Sequence, residues 1–115
     1  MSDDILKQLF SIIEERKSAN PESSYVAGLY QLGTAKIAQK VGEEAVETVI
    51  EAMRLDNGVS GSEDMREDAK AKLCEESADL VFHLMVLWAH LGLTPEMVMS
   101  VLEKRLNKSG LNRGQ

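Results

Sequence analysis

Several residue types and patterns that define whole classes of protein are scarce in this sequence of 115 residues. A single cysteine, Cys74, excludes an intrachain disulfide, and no Cys/His spacing typical of a zinc site is present. The net charge of −6 lacks the basic excess with which proteins bind nucleic acids or acidic membranes. The most apolar stretch, residues 80–93, is too short to cross a bilayer, and the acidic N-terminus has no signal-peptide pattern. We therefore expect a cytoplasmic protein with no nucleic-acid or membrane partner.

Residues that interrupt helices are also rare. The chain has two prolines and 4% aromatic residues, and it contains no run of alternating β-branched residues. The many Ala, Leu, Glu, Met and Lys residues favour helix throughout. The length fits one domain with its own core. We predict an all-α helical bundle of about four to five helices, with residues 1–106 as a single domain and 107–115 as a flexible tail.

Local signals divide this domain into five predicted helices. Their approximate bounds are 3–17, 24–31, 34–55, a fourth helix that follows the Gly/Ser-rich break at 56–64 and ends near 90, and 95–106. Several side chains are assigned to helix starts: Pro21 and Pro95 to first turns, and Thr34, Ser60 (with Glu63) and Thr94 to N-caps.

The third predicted helix concentrates charge on one side. At 100° per residue, six side chains fall in one sector: Lys36, Lys40, Glu43, Glu44, Glu47 and Glu51. One interpretation is a solvent-exposed face on which Lys40 pairs with Glu44 at i, i+4. However, Glu43–Glu47 and Glu47–Glu51 are like-charge pairs that each cost a few tenths of a kcal/mol. A site that binds a cation has a reason to tolerate this cost, whereas a plain surface does not.

A second acidic segment lies in the fourth predicted helix. Its polar stripe contains Lys72, Glu75, Glu76, Asp79 and His83. From Asp79 to His90 this helix is apolar almost all round, so we expect Asp79 to be buried. An unpaired buried carboxylate costs several kcal/mol, so Asp79 must be neutral, paired or bound to a metal. The alternative to a metal is a structural ion pair with Lys36 or Lys40. We interpret His83 as a hydrogen-bonded core histidine.

The two acidic segments are expected to face each other. In an antiparallel hairpin, Glu44 and Glu47 lie at the height of Glu76 and Asp79 if the turn is centred near residue 61 or 62. Facing helices lie roughly 8–10 Å apart, so these side chains can reach one ion between them. Four carboxylates suit a hard divalent cation, with Mg²⁺ expected. Zinc is disfavoured because no Cys or His cluster is present, and a di-iron site because the Glu-x-x-His spacing is absent.

The motifs that contain these residues resemble those of known protein families. Glu44-x-x-Glu47 and Glu76-x-x-Asp79 resemble the metal signature of the all-α, MazG-like nucleoside-triphosphate pyrophosphatases. More of the chain, in "SSYVAGL", "KIAQKVGEEAVE", "EESADLVFHLMVLWAHLGL" and "KSGL", resembles the phosphoribosyl-ATP pyrophosphatases of histidine biosynthesis. The resemblance implies Mg²⁺-dependent hydrolysis of phosphoribosyl-ATP to phosphoribosyl-AMP and pyrophosphate. It also implies a homodimer and a functional link to phosphoribosyl-AMP cyclohydrolase.

Site roles follow from the residues and the resemblance together. The expected metal ligands are Glu44, Glu47, Glu76 and Asp79. The expected catalytic residues are Glu43, Glu44 and Glu47, where Glu43 could activate water, reach a second ion or be a plain surface carboxylate. The substrate-binding candidates are Lys36, Lys40, Ser23, Ser24, Tyr25, Arg16 and Lys17. The two lysines of the third helix could contact phosphate or only neutralise neighbouring carboxylates, and the serines could act only as helix caps.

Two other functions remain open at this point. One is a pyrophosphatase of the same fold that acts on other nucleoside triphosphates. The other is a non-catalytic helical dimerisation module held by salt bridges. Because the apolar surface around residues 80–91 exceeds what one hairpin covers, we expect a homodimer to bury it and so complete the bundle.

Overall fold

A computed structural model describes residues 2–57 and 62–108, and in these ranges the chain forms five α-helices and no strand. The helices are α1 (Ser2–Glu15), α2 (Tyr25–Leu32), α3 (Thr34–Asp56), α4 (Glu63–Leu91) and α5 (Pro95–Leu106), and a 3₁₀ turn (Arg16–Ser18) follows α1. The all-α prediction is therefore confirmed. The division into a domain at 1–106 and a tail stays a prediction, since residues 109–115 lie outside the described ranges.

Two predicted helix starts are confirmed by their hydrogen bonds. The Ser24 side chain accepts from the backbone N–H of Ala27 at 3.1 Å, which caps α2. The Thr94 side chain accepts from the N–H of Met97 at 3.2 Å, and Pro95 is the first residue of α5. In both places a side-chain oxygen satisfies a backbone donor that has no partner inside the helix.

Other predicted helix starts need correction. Thr34 does not cap α3, because Gly33 adopts a positive φ and is itself the N-cap. Pro21 is not in a helix; it lies in a turn at residues 21–23, because Ser24 caps α2 and so fixes its start at residue 25. The cap of α4 is Ser62, whereas the predicted cap, Ser60, lies outside the described residues.

Helices α3 and α4 pack together as a long hairpin, the largest interface of the fold. Along α3, buried and half-buried side chains recur every three or four residues: Ile37, Val41, Glu44, Thr48, Ala52 and Leu55. This is the spacing of a helix face that packs against one partner. Glu44 therefore lies within the packed seam between two helices and not on an outer face.

The core lies between α1, α2, the start of α3 and the C-terminal half of α4. Its buried members are Ile13, Val26, Leu29, Ile37, Met85, Val86 and Ala89. The Tyr30 hydroxyl donates to the carbonyl of Ile13 at 2.9 Å and thereby ties α2 to the end of α1. The expected apolar surface at 80–91 is buried only in part: Met85, Val86 and Ala89 are 0% exposed, whereas Val81 and Leu91 are 41% and 53% exposed.

One open apolar stripe lies on α3. Val46, Val49, Ile50 and Met53 are 50–59% exposed and follow one another at i, i+3, i+4 and i+7. We call these four residues the α3 stripe. They lie on the side of α3 that does not face α4, so nothing within the described part of the chain covers them.

No single helix in the described ranges is long and apolar enough to cross a membrane. Only α4 and α5 taken together reach the required length and composition, and the chain bends by 111° between them. The apolar half of α4 contributes instead to the protein core, where Met85 and Val86 are fully buried.

Two glycines with positive φ give a stability prediction. Gly33 has φ 94° and ψ −177°, a region essentially restricted to glycine, whereas Gly92 has φ 83° and ψ 19°, which asparagine also adopts. Neither site has an atom within 4 Å of an added Cβ, so backbone strain alone sets the cost. We expect Gly33→Ala to destabilise the protein by about 1–3 kcal/mol and Gly92→Ala by about 1 kcal/mol. Denaturant unfolding measures both; Asn should recover most of the loss at Gly92 and not at Gly33.

Candidate metal and active site

Three carboxylates meet between α3 and α4. One oxygen from each of Glu44, Glu47 and Glu76 lies within 4.8 Å of the others. Glu44 and Glu47 are neighbours one turn apart on α3, and the hairpin brings Glu76 of α4 opposite them. We call these three residues the acidic cluster. The structure thus brings together three of the four metal ligands predicted from the sequence.

Two oxygens of the acidic cluster lack hydrogen-bond partners. Oε1 of Glu44 and Oε1 of Glu76 are buried, and no donor within the described residues reaches them. Buried acceptors are normally satisfied, and leaving one unpaired costs free energy. Converging carboxylate oxygens without protein donors are the ligands that a hard divalent cation takes. The donor set therefore fits Mg²⁺ and does not fit a soft metal.

The raised pKa values of two cluster carboxyls also fit a cation site. Burial, together with the nearby carboxylates of Glu47, Glu44 and Asp79, raises the pKa of Glu76 from its ordinary value of 4.5 to about 7. Burial also raises the pKa of Glu44, again with Glu47 and Asp79 adding to the effect. Like charges that crowd a site disfavour ionisation, and a bound cation would relieve this repulsion.

Asp79 corrects one expectation. Asp79 is exposed and not buried. It lies with Ala78 and Val81, which are also exposed, on an unpacked side of α4. It stands outside the three-oxygen cluster, although its charge raises the pKa of both Glu44 and Glu76. Asp79 therefore lies at the rim of the acidic cluster.

The alternative salt-bridge interpretation of Asp79 finds no support. In the part of the chain that the structure describes, neither Lys36 nor Lys40 forms an ion pair with Asp79. Lys40 pairs instead with residues of its own helix, at 3.4 Å from Glu43 and 4.0 Å from Glu44. Lys40 thus lies beside the acidic cluster and does not join α3 to Asp79 of α4 by an ion pair.

Glu43 is held on the outer side of α3. It is exposed, accepts a hydrogen bond from the Gln39 side chain at 2.8 Å, and pairs with Lys40. These two partners, with a smaller contribution from the charge of Lys36, lower the pKa of Glu43. A carboxylate whose ionised form is stabilised in this way is a weaker base.

Tyr25 and His83 form a hydrogen-bonded pair that links α2 to the backbone of α4. The Tyr25 hydroxyl lies 2.8 Å from Nε2 of His83, and Nδ1 of His83 lies 2.9 Å from the backbone carbonyl of Asp79. His83 is 6% exposed, so the predicted hydrogen-bonded core histidine is confirmed. Burial raises the pKa of Tyr25; the Lys40 charge opposes that shift, while Glu44 adds to it. No local sequence signal joins Tyr25 to His83, because 57 residues separate them (26–82).

The other substrate-binding candidates have local partners. Ser24 caps α2, and Ser23 donates to a backbone carbonyl of the preceding turn at 3.3 Å. Lys17 pairs with Glu14 at 2.9 Å, near the end of α1. Among the described residues, no hydrogen bond or ion pair links Arg16 or Lys17 to the acidic cluster. Their role in binding substrate stays a prediction.

The raised pKa of Glu76 gives a prediction for the metal-free protein. Folded protein keeps this proton up to about pH 7, whereas the unfolded chain releases it near 4.5. The stability that this group contributes is therefore complete below its unfolded pKa and is lost as the pH rises through 7. Thermal unfolding in chelator between about pH 5 and pH 8 should show this decline in wild-type protein, measured relative to Glu76→Gln. Equal pH dependence in the two proteins would contradict the prediction.

Comparison with known proteins decides the family. The profile of the family described as phosphoribosyl-ATP pyrophosphohydrolase matches residues 6–106, which include the whole acidic cluster. The chain belongs to this family. A protein of Azospirillum brasilense named phosphoribosyl-ATP pyrophosphatase is 51% identical over 107 residues, which cover 93% of this chain and 85% of that protein. Proteins with the same name from Zymomonas mobilis and Paramagnetospirillum magneticum are 48% and 42% identical, over 96% and 94% of this chain and 91% and 87% of their own lengths.

The phosphoribosyl-ATP pyrophosphohydrolase match confirms the resemblance seen in the sequence motifs. The match extends from α1 to the last residue of α5, so it includes the α3–α4 hairpin and the helices that pack on it. The family is one of hydrolases, which accords with a site of converging carboxylates at a helix–helix seam.

Proposed function

We propose that this chain hydrolyses phosphoribosyl-ATP to phosphoribosyl-AMP and pyrophosphate in the cytoplasm, with Mg²⁺ held at the acidic cluster. The observation that carries this proposal is a seam of three converging carboxylates with two buried, unpartnered oxygens. It occurs in a member of a family named for the same reaction. The product would be the substrate of phosphoribosyl-AMP cyclohydrolase, which makes that enzyme the functional partner.

The ligand roles follow from burial and position. Glu44 and Glu76 present their unpartnered oxygens inside the seam, Glu47 approaches from the exposed side of the same cluster, and Asp79 supplies a fourth carboxylate at the rim. A bound Mg²⁺ supplies positive charge at the phosphoryl oxygens, where negative charge develops during hydrolysis. The protein thus binds an anionic substrate despite its own net charge of −6.

The remaining side chains fit supporting roles. Lys40 is placed between Glu43 and the acidic cluster, so we assign its ammonium to a phosphate oxygen of the substrate. Glu43, with its lowered pKa, orients Lys40 better than it would remove a proton from water. Lys36 lies one turn before Lys40 and can add a second contact to phosphate.

A homodimer is part of this proposal. The α3 stripe exposes Val46, Val49, Ile50 and Met53 at the spacing of a packed helix face, and a second copy presents the same face in return. Glu47 directly follows Val46, so the interface would border the acidic cluster. The second copy therefore covers α3, whereas the sequence had suggested the surface at 80–91.

The deciding experiment measures pyrophosphate release from phosphoribosyl-ATP, beside a panel of nucleoside triphosphates, with Mg²⁺ and with chelator. Turnover of phosphoribosyl-ATP alone, lost in chelator, is the expected result. Turnover of another nucleoside triphosphate would support the proposed active site and refute phosphoribosyl-ATP as the substrate. No turnover of any substrate by folded protein would favour the non-catalytic dimerisation module.

A further inference from the structure

Tyr25 differs from the other aromatic side chains in its exposure. The chain has two phenylalanines, two tyrosines and one tryptophan, all within the described residues. Four of these side chains pack against the hydrophobic core: Phe10, Tyr30, Phe82 and Trp88. Tyr25 alone among them is exposed, at 56% of its surface. An exposed aromatic ring offers a large apolar face on which a planar group can stack.

The ring of Tyr25 is fixed in place although it is exposed. Its hydroxyl lies 2.8 Å from Nε2 of His83, and Nδ1 of His83 lies 2.9 Å from the backbone carbonyl of Asp79. That carbonyl can only accept, so in the neutral imidazole Nδ1 carries the hydrogen and Nε2 accepts from the Tyr25 hydroxyl. His83 is 6% exposed, so a buried residue of α4 holds the end of the ring. A ring oriented in advance loses little conformational entropy when a ligand stacks on it.

One face of the Tyr25 ring is left open. Phe82 stacks against the ring, with the centroids 6.4 Å apart and the planes 21° from parallel. His83 meets it at 89°, with the centroids 5.8 Å apart, at the hydroxyl end. Both contacts come from α4, so they cover one face and one end of the ring. The exposed surface is therefore the face that points away from Phe82.

Helix geometry sets how far the Tyr25–His83 pair lies from the acidic cluster. His83 follows Glu76 by seven residues, so the two lie on the same side of α4 and about 10 Å apart along its axis. Asp79 lies between them along the helix and is exposed. Tyr25 is bonded to the His83 end of this line, so its ring is too distant to contact an ion held by Glu76. The ring is placed to contact another part of a ligand whose charged end is held at the cluster.

We propose that the open face of the Tyr25 ring stacks on the base of the nucleotide whose phosphates lie at the acidic cluster. A nucleotide suits both places, because its ribose joins a flat heteroaromatic base to a charged phosphate chain. Every base has a π-face that can stack on an aromatic side chain. Tyr25 is then a binding residue, and His83 is a positioning residue that orients the ring. The inference rests on the proposed function, since it places the phosphates at the acidic cluster.

Two substitutions at one position separate the ring from its hydrogen bond. Tyr25→Leu removes the ring and the hydroxyl, whereas Tyr25→Phe removes the hydroxyl alone. Both leave Nε2 of His83 without its partner, so they should lower the unfolding temperature by similar amounts. Only Tyr25→Leu removes the stacking surface. Tyr30→Phe is the distant control, because the Tyr30 hydroxyl donates to the backbone carbonyl of Ile13.

Calorimetric titration of Mg²⁺-saturated protein with the two reaction products, taken separately, tests the proposal. Phosphoribosyl-AMP carries the base, and pyrophosphate does not. Tyr25→Leu should weaken phosphoribosyl-AMP binding at least about 10-fold and leave pyrophosphate binding as in wild type. Tyr25→Phe should weaken phosphoribosyl-AMP binding much less, and Tyr30→Phe not at all. In turnover of phosphoribosyl-ATP, Tyr25→Leu should raise KM by a similar factor with kcat nearly unchanged, because the base stacks equally in the bound substrate and in the transition state.

Three results would overturn the proposal. Unchanged phosphoribosyl-AMP affinity in Tyr25→Leu would show that Tyr25 only shields His83. Equal losses for phosphoribosyl-AMP and pyrophosphate would indicate a general disturbance of the site. Equal losses in Tyr25→Phe and Tyr25→Leu would assign the effect to the hydroxyl and not to the ring.

The same titration separates this inference from the proposed substrate. If the chain hydrolyses another nucleoside triphosphate, the monophosphate of that nucleotide replaces phosphoribosyl-AMP. Binding that depends on the Tyr25 ring would then refute the proposed substrate and support stacking. Folded protein that binds no nucleotide at all would refute both.

Discussion

Glu47→Gln should lower the rate of pyrophosphate release from phosphoribosyl-ATP by at least about 100-fold. The substitution keeps the size of the side chain and removes one negative charge from the acidic cluster, in which one oxygen each of Glu44, Glu47 and Glu76 lies within 4.8 Å of the others. With fewer anionic oxygens the proposed Mg²⁺ would bind more weakly and would supply less positive charge to the phosphoryl group. Steady-state kinetics across a range of Mg²⁺ concentrations measure this loss.

Glu51→Gln is the control for that substitution. Glu51 lies one turn further along α3, in the same charged sector, but it pairs with Arg54 at 2.7 Å and stands outside the acidic cluster. It should retain nearly full activity. If both variants lose activity equally, general negative charge on this face supports the reaction, and the assignment of Glu47 as a ligand is wrong.

The stability of Glu47→Gln separates a metal ligand from a structural residue. In chelator the variant should be at least as stable as wild type, because the charge of Glu47 helps to raise the pKa of both Glu44 and Glu76. In wild-type protein, Mg²⁺ should raise the unfolding temperature, since it binds only the folded state. That increase should largely disappear in the variant. A variant that is less stable without metal would indicate that Glu47 supports the fold.

The part of the site that follows from local periodicity was predictable from the sequence. A helix turn fixes Glu44 beside Glu47, and the position of the turn segment sets which residue of α4 lies opposite them, so Glu76 could be placed. The all-α fold and the start of α5 follow from composition and from local caps such as Thr94. These features depend on residues close in sequence or on one short connection.

Burial on a particular side of a helix was not predictable in the same way. Asp79 stands in an apolar stretch, yet it is exposed, because the sequence shows how apolar α4 is and not on which sides other helices lie. The same reason explains why part of the apolar segment 80–91 is buried in the core and why the α3 stripe is open. The hydrogen bond between Tyr25 and His83 depends on how α2 docks onto α4, for which no sequence spacing gives a signal.

Val49→Lys should convert a dimer into a folded monomer. Val49 is 59% exposed in the middle of the α3 stripe, and a two-fold interface would bring a Lys from each copy into an apolar contact. An unpaired charge buried there costs several kcal/mol, so we expect the dimer to weaken by at least about 100-fold. Sedimentation velocity at a series of protein concentrations measures the change. Circular dichroism should show an intact fold, because the core around Met85 and Val86 is complete within one chain.

Leu91→Lys is the matched test of the other surface. Leu91 is 53% exposed at the end of α4, in the segment whose apolar residues first suggested a dimer, so it resembles Val49 in exposure and differs in location. If α3 forms the interface, Leu91→Lys leaves the dimer intact. If Leu91→Lys alone produces monomer, the copies associate through the end of α4 and the α3 stripe is not the interface. Wild-type protein that sediments as a monomer at every concentration would refute both placements. The acidic cluster would then be complete within a single chain.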